Sequence, residues 1–223
     1  MSTQNITLPA LGPDVLDLLE QGLAPGEAID TALTRNGYSQ YRQLTAIDHQ
    51  GRTVHFSGSE TLGTHNALSG EQCVAAGNML ADHAVIAAMV QAFEQGEGQL
   101  ADRLLAAMHA AIAAGGEAGP VHSAALVVVG ELTWPIINLR VDWADERPIT
   151  ELQKLWDAYH PQGRPPAGAR GRDHCLLSRS PGRIQGAAYG GVYPGFTCRR
   201  FIGLGERNGN NAVAAMWCKV MAN

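Results

Sequence analysis

The chain has 223 residues, 45% of them apolar and 17% charged, and a formal charge of −5. That length buries a real core and favours one domain with an appendage over two full domains. No run of about 18 apolar residues is present to cross a bilayer, and MSTQNITLP lacks the basic and apolar parts of a secretory signal, so a cytoplasmic protein with no membrane partner is expected.

In chain order, Pro13 to Gln21 places Val15, Leu16, Leu18 and Leu19 on a short helix, with proline in the first turn and Gly22 just past the end. Pro25 opens a second helix whose inward stripe is Ala28, Ile29, Ala32 and Leu33, closed by Asn36-Gly37. Tyr41 to Leu80 then reads as strand, tight turn, strand, polar loop and strand. Thr45 and Ile47 alternate with Ala46 and Asp48, and Val54 and Phe56 with His55, the period of two of a sheet with unlike faces. His49-Gln50-Gly51 supplies the turn, because glycine takes positive φ without steric cost. Gly77-Asn78 ends the third strand.

From Asp82, a good N-cap type, Val85, Ile86, Met89, Val90 and Phe93 recur at helical spacing. Leu100, Leu104, Met108 and Ile112 give a second helix ended by Gly115-Gly116, and the two are expected to pair as a hairpin. Ser123 to Val129 is a nearly continuous apolar run, as in a strand buried on both faces. Trp134 to Trp143 alternates again and completes a second strand hairpin, and Pro148 opens a last helix carrying Leu152, Leu155, Trp156 and Tyr159. Helix pairs separated by antiparallel strand groups imply an α+β domain with helices stacked on sheets.

Beyond His160 the composition changes. Residues 1–160 carry 7 Lys+Arg against 19 Asp+Glu, while residues 161–223 carry 9 against 2. The tail is rich in Gly, Pro, Arg and Ser without an apolar period, the composition of a linker or poorly ordered segment, with short extended segments expected over Tyr189 to Gly205 and a short helix or strand over Ala212 to Met221. Its arginines suggest weak, salt-dependent phosphate binding, but such tails are more often merely solvated, and nucleic acid is not an expected partner.

Motifs for chemistry are sparse. The sequence lacks G-x-S-x-G, H-E-x-x-H and the phosphate-binding G-x-x-x-x-G-K-[ST], and Gly203-Leu204-Gly205 reaches Gly209 one residue too late for a dinucleotide fingerprint. Cys73, Cys175, Cys198 and Cys218 form no C-x-x-C pair and the eight histidines no ligand spacing, so no metal or cofactor is expected and the thiols read as free. Two places are odd for scaffolding. Gly115-Gly116-Glu117 runs towards His122-Ser123, collecting a carboxylate, an imidazole and a hydroxyl at one rim. Gly77-Asn78 lies where a helix follows a strand, a place where amides hold an oxyanion. The competing reading is a glycine C-cap for the first and a helix cap for the second.

Several collinear pieces carry a resemblance: TQN with LGPDVLDLLEQGL (Thr3 to Leu23), YRQLTAIDHQGR with FSG (Tyr41 to Gly58), AAGNMLA (Ala75 to Ala81), LLAAM through AAGGE (Leu104 to Glu117), SAALVVV (Ser123 to Val129) and LRVDW (Leu139 to Trp143). Together they resemble the domain of unknown function 1028 (DUF1028) family of N-terminal-nucleophile (Ntn) hydrolases, over residues 3 to about 160. The resemblance implies a four-layer αββα sandwich over residues 1–160, with 161–223 as an irregular tail. It also implies an amide-bond hydrolase in which the first residue of the mature chain attacks a carbonyl and its own α-amino group serves as base, acting on a small amide or peptide-like substrate. The order is also similar to that of proteasome β subunits.

Members of the family normally begin with two strands ahead of the segment matching Ser2-Thr3-Gln4. They also tend to have Asp and Arg where this chain has Glu117 and Ala118, and Gln where it has His122. Three explanations stay open: an incomplete gene model, a shortened and catalytically inactive relative that serves as a structural or binding protein, or recruitment of Ser2 as nucleophile after removal of Met1. A sheet without those strands has open edges, which the tail or a second subunit must cover, so a homo-oligomer is expected. In the Ser2 reading the catalytic residues are Ser2, Asn78, Glu117 and Ser123, with Gln4, Asn5, Gly77 and His122 binding substrate. Gly77-Asn78, Gly116-Glu117 and Ser123 are then expected to converge on Ser2 to Asn5.

Overall fold

A computed structural model describes residues 1–129, 134–160 and 214–217. Its elements are β1 (Ser2–Asn5), α1 (Leu11–Glu20), α2 (Pro25–Asn36), β2 (Arg42–Ile47), β3 (Thr53–Ser57), β4 (Asn66–Gly70), β5 (Cys73–Gly77), α3 (Ala84–Gln95), α4 (Leu100–Ala113), β6 (Ala124–Val129), β7 (Pro135–Val141), α5 (Pro148–Tyr159) and β8 (Ala214–Trp217). The architecture is mixed α/β, and no described helix is long and apolar enough to cross a membrane.

Local chemistry accounts for the helix boundaries. Pro25 opens α2 with its fixed φ, the Glu27 carboxylate accepts the Ala24 N–H at 3.1 Å, and Gly37 takes φ +66 just past the last turn. In α4 the Asp102 carboxylate accepts the Gln99 N–H at 2.8 Å. The N-cap of α3 is His83 rather than Asp82, but the Asp82 Oδ1 accepts the Ala84 N–H at 2.7 Å. The helix starts at Ala84, because Asp82 holds the entering turn from outside it.

Three sheets form among the described residues: β1-β2-β3, β4-β5-β8 and β6-β7. The reading of Tyr41 to Leu80 needs one correction. The polar loop contains β4, so β4 and β5 are a second antiparallel hairpin, with Asn66 opposite Gly77 and Gly70 opposite Cys73. β8 then pairs with β5 in parallel, Cys73 opposite Ala214 and Ala76 opposite Trp217. Part of the segment expected as helix or strand is therefore a strand, and the rest of the tail, Tyr189 to Gly205 included, lies outside the described residues.

Two apolar clusters hold the layers. In one, Leu11, Val15 and Leu18 of α1 and Ala28, Ile29, Ala32 and Leu33 of α2 cover Leu44 and Ala46 of β2. In the other, Val85, Ile86, Met89 and Phe93 of α3 and Leu104 and Leu105 of α4 meet Cys73 and Ala75 of β5, Leu126 and Val128 of β6, and Leu152 and Trp156 of α5. The α3–α4 hairpin is as expected, and the Arg103 guanidinium lies 4.0 Å above the Phe93 ring. On their other faces β2 lies against β5 and β3 against β4. A second correction concerns β6, which was expected to be buried on both faces. Leu126 and Val128 are buried, but Val127 is 43% exposed. β6 and β7 form a two-stranded sheet that packs on α4 and α5 from one side, so alternate apolar residues of the run face outwards.

The β2–β3 turn shows how a polar side chain fixes a hairpin. Gly51 takes φ +78, as its place in the turn requires. Buried Asp48 accepts the N–H groups of Gln50 and Arg52, both at 2.9 Å, through Oδ1 and the Arg52 guanidinium at 2.6 Å through Oδ2. Burial pushes the carboxyl up, but the hydrogen bonds from Arg52 and Gln50 and the Arg52 charge outweigh it and hold the pKa below the usual value. Asp48→Asn is therefore expected to cost about 1–2 kcal/mol at neutral pH. A depressed carboxylate pKa contributes stability that is present above the unfolded value, about 3.9, and lost as pH falls below it. The gap between the two proteins in denaturant melts should thus hold above about pH 5 and shrink below about pH 4. A gap that does not change with pH would refute this account.

Truncation after His160 removes β8 and bares the β5 edge. The expected loss is about 2 kcal/mol or more from four residues' worth of ladder, or several degrees in Tm. A cooperative melt identical to that of the full chain would show that β8 does not complete this sheet.

Candidate functional site

The site follows from the pairing of β1 with β2. Ser2 is opposite Thr45 and Gln4 opposite Gln43, and side chains alternate across a strand. Leu44 and Ala46 point at the α1–α2 cluster, so Ser2, Gln4, Gln43 and Thr45 share the other face, towards the second sheet. On β5, Cys73 and Ala75 pack against the α3 cluster, which turns Val74 and Ala76 towards β2. A polar stripe on one sheet thus meets small apolar side chains on the other.

Gln4, Gln43 and Thr45 are buried, and buried amides are costly unless hydrogen-bonded. Gln43 is the hub. Its Nε2 faces three acceptors: Ser57 Oγ at 3.0 Å, the Gly77 carbonyl at 3.1 Å and the Asn66 carbonyl at 3.3 Å. Its Oε1 accepts Gln4 Nε2 at 2.8 Å and Asn78 Nδ2 at 3.2 Å. Ser2 Oγ lies 2.8 Å from Thr45 Oγ1 on the same face. Asn5, at φ +71, donates Nδ2 to the Tyr41 carbonyl at 2.7 Å and accepts the Leu62 N–H at 3.1 Å. The Leu62 carbonyl in turn accepts the N–H of Met79 at 3.1 Å, and Met79 has φ +55.

The expected site residues are brought together unevenly. Gln4, Gly77 and Asn78 meet on Gln43, with Ser2 two positions along the strand from Gln4. The turn after α4 joins the end of β5: Ala81 N–H donates to the Gly116 carbonyl at 3.0 Å, Ala118 N–H to the Met79 carbonyl at 2.9 Å, and Leu80 and Glu117 form a bridge. His122 goes elsewhere. It stacks on Trp143 with ring centroids 4.2 Å apart, and its Nδ1 lies 2.9 Å from the Ala144 carbonyl. Neither His122 nor Ser123 is hydrogen-bonded to Ser2 among the described residues. Gln43, Thr45 and Ser57 were not anticipated. The available signal was polar residues at positions 43 and 45 of a strand whose intervening residues are apolar.

Cys73 offers no alternative nucleophile. Burial and the Glu94 charge push its thiol up to about 11, so it stays protonated at neutral pH. No group of three or more His, Cys, Asp or Glu able to hold a metal occurs among the described residues, and the inward stripe offers amides and hydroxyls, poor donors for a transition metal.

A family model described as a family of unknown function, DUF1028, matches residues 1–152. The chain belongs to the DUF1028 family. A crystal structure of a protein of the same family, SPO2555 from Silicibacter pomeroyi, is 30% identical in sequence and superposes with a TM-score of 0.63 over 70% of this chain and 69% of that one. No curated protein matches the sequence. In this DUF1028 chain the family match spans β1 through the first turn of α5, so it includes every residue of the Gln43 network.

Gln43→Ala would leave two amide donors and two carbonyls without their shared partner and open a cavity between the sheets. The expected loss is about 2–4 kcal/mol, against at most about 1 kcal/mol for Ser57→Ala, which removes one of Gln43's three acceptors. Urea melts of the two variants check this. Equal, small effects would mean that the hub does not hold the sheets in register.

Proposed function

We propose that this protein is an amide-bond hydrolase of the N-terminal-nucleophile kind, built on a four-layer αββα sandwich, with Ser2 as nucleophile after removal of Met1. The observation that carries the reading is the position of Ser2. It stands on the first strand of the family-matched region, on the polar face between the sheets, with its hydroxyl bonded to Thr45. The freed α-amine takes the Ser2 Oγ proton as Oγ attacks the substrate carbonyl, and the tetrahedral oxyanion is stabilised by amides at Gly77-Asn78. The protonated amine then gives its proton to the leaving nitrogen. Water, activated by the same amine, cleaves the resulting ester. Glu117 and Ser123 orient the amine, and Gln4, Asn5 and Gly77 bind the substrate, a small amide or peptide-like molecule. A carboxylate beside an ammonium raises the amine's pKa, so the amine acts as base in this scheme only with burial or a counterbalancing positive charge beside it.

Two observations favour a second reading, a non-catalytic relative that keeps the fold as a structural or binding protein. Gln43 already spends its hydrogen-bonding capacity on protein groups, and Met1 packs at the edge of the α1–α2 cluster. A network of this kind suffices to lock two sheets together. The test is intact mass followed by labelling with an acylating β-lactone. The hydrolase reading expects loss of Met1, one equivalent of label on Ser2, and a drop of at least about 100-fold in labelling rate for Ser2→Ala. Retained Met1 with no label would leave only the non-catalytic reading.

A further inference from the structure

We propose that Trp143 and Asp145, on the loop between β7 and α5, bind the guanidinium group of an arginine in a peptide or protein partner. The indole is held at three points. His122 stacks on one face, with ring centroids 4.2 Å apart and planes 8° from parallel. The backbone beside it is tied to the loop before β6, because the Ala144 N–H donates to the His122 carbonyl at 2.7 Å and His122 Nδ1 lies 2.9 Å from the Ala144 carbonyl. The indole N–H donates to Asp145 Oδ1 at 3.2 Å. Trp143 is nevertheless 58% exposed, and with one face under the imidazole the bare surface is the other face. An indole fixed in this way loses side-chain freedom without the burial that ordinarily offsets that loss. A rigid aromatic face left open is the kind of anchor that interfaces use.

The charges around the ring select the occupant. Asp145 makes no ion pair among the described residues, and the single indole N–H leaves most of its acceptor sites open. Asp142 is paired with Arg140, whose Nε lies 3.0 Å from its Oδ1, and the neighbouring Glu146 and Arg147 cancel in charge. The local excess is therefore the carboxylate at the edge of the indole. Residues 1–160 carry 7 Lys+Arg against 19 Asp+Glu, which favours the approach of a cation from a distance. A cation over the bare face is attracted by the ring quadrupole, with the Asp145 carboxylate beside it. Arginine suits this arrangement better than lysine. Its planar guanidinium lies flat on an indole and turns its N–H groups sideways, towards a carboxylate next to the ring, whereas an ammonium is a strongly hydrated point charge. Nothing in this reading uses Ser2, so it stands or falls apart from the hydrolase proposal.

The test is an NMR titration of the full chain at low salt and about pH 8, above the range in which histidines ordinarily titrate. The ligand is the blocked tripeptide acetyl-Gly-Arg-Gly-amide, and the reporters are the Trp143 indole N–H and the backbone N–H of Ala144. Both peaks should shift saturably, with half-saturation below about 20 mM. The citrulline tripeptide, planar but uncharged, should bind at least about tenfold more weakly, and the lysine tripeptide at least about threefold more weakly. Asp145→Asn, which keeps an acceptor for the indole and removes the charge, should weaken binding at least about threefold. Trp143→Leu should abolish the shift at Ala144. Should that variant fail to fold, Trp143→Phe takes its place, with binding weakened at least about threefold. The proposal is overturned if half-saturation is not reached by about 20 mM, if citrulline binds as well as arginine, or if either substitution leaves binding unchanged.

Discussion

The relative placement of the two main sheets depends on one buried amide. Gln43 ties β1, β3, β4 and the end of β5 to β2 through one side chain, and no apolar residue in its place would discriminate among registers so sharply. A slip of one residue between β1 and β2 would turn Gln4 and Ser2 into the α1–α2 cluster and bring Thr3 and Asn5 between the sheets. Burying an unsatisfied amide costs a few kcal/mol, a large fraction of a domain's net stability of about 5–15 kcal/mol. The polar stripe therefore costs little only in the native register, and there it makes the arrangement unique.

The apolar clusters around this layer supply most of the burial, and they are the part that periodicity reveals. The stripes Ala28-Ile29-Ala32-Leu33 and Val85-Ile86-Met89-Val90-Phe93 can be read directly because a helix writes its buried face at a spacing of 3.6 residues, and α2 and α5 begin at the prolines that mark them. β1 and β4 left no such trace. Each is only four or five residues long, β1 wholly polar and β4 of mixed character, and each is specified by a partner across the sheet rather than by its own alternation. Gln43 was illegible for the same reason. A glutamine in a strand reads as a solvent-facing residue until the Gly77 and Asn66 carbonyls opposite it are known. His122 shows the converse error: sequence proximity to Ser123 placed it at the rim, whereas the neighbouring ring of Trp143 captures the imidazole.

β5 gains most from the tail. It is buried throughout, with β4 on one edge and β8 on the other. Without β8, that second edge would present unpaired N–H and C=O groups within an apolar layer. The segment beyond α5 therefore contributes to the domain, although its composition, with nine basic residues among the last 63, reads as a linker. A strand of four residues, Ala-Ala-Met-Trp, is too short to announce itself by pattern. Its pairing depends on β5 being ready to receive it.

Backbone strain adds an independent argument about where function would lie. Asn5 and Met79 both hold left-handed backbone conformations, and the backbone of Leu62 joins them, its N–H bonded to the Asn5 side chain and its carbonyl to the Met79 N–H. Asparagine tolerates that conformation because its short side chain bonds locally, but methionine has no such compensation, and strain of this kind costs of order 1–3 kcal/mol. Met79 is also 40% exposed and Leu62 48% exposed, so burial of their side chains does little to offset the cost. What holds Met79 in place is its pair of backbone bonds, to Leu62 on one side and Ala118 on the other. These bonds fix Asn78, one residue earlier, against Gln43, and Glu117, one residue before Ala118, against Leu80. The strained turn thus sets the spacing between the end of β5 and the backbone of the turn after α4.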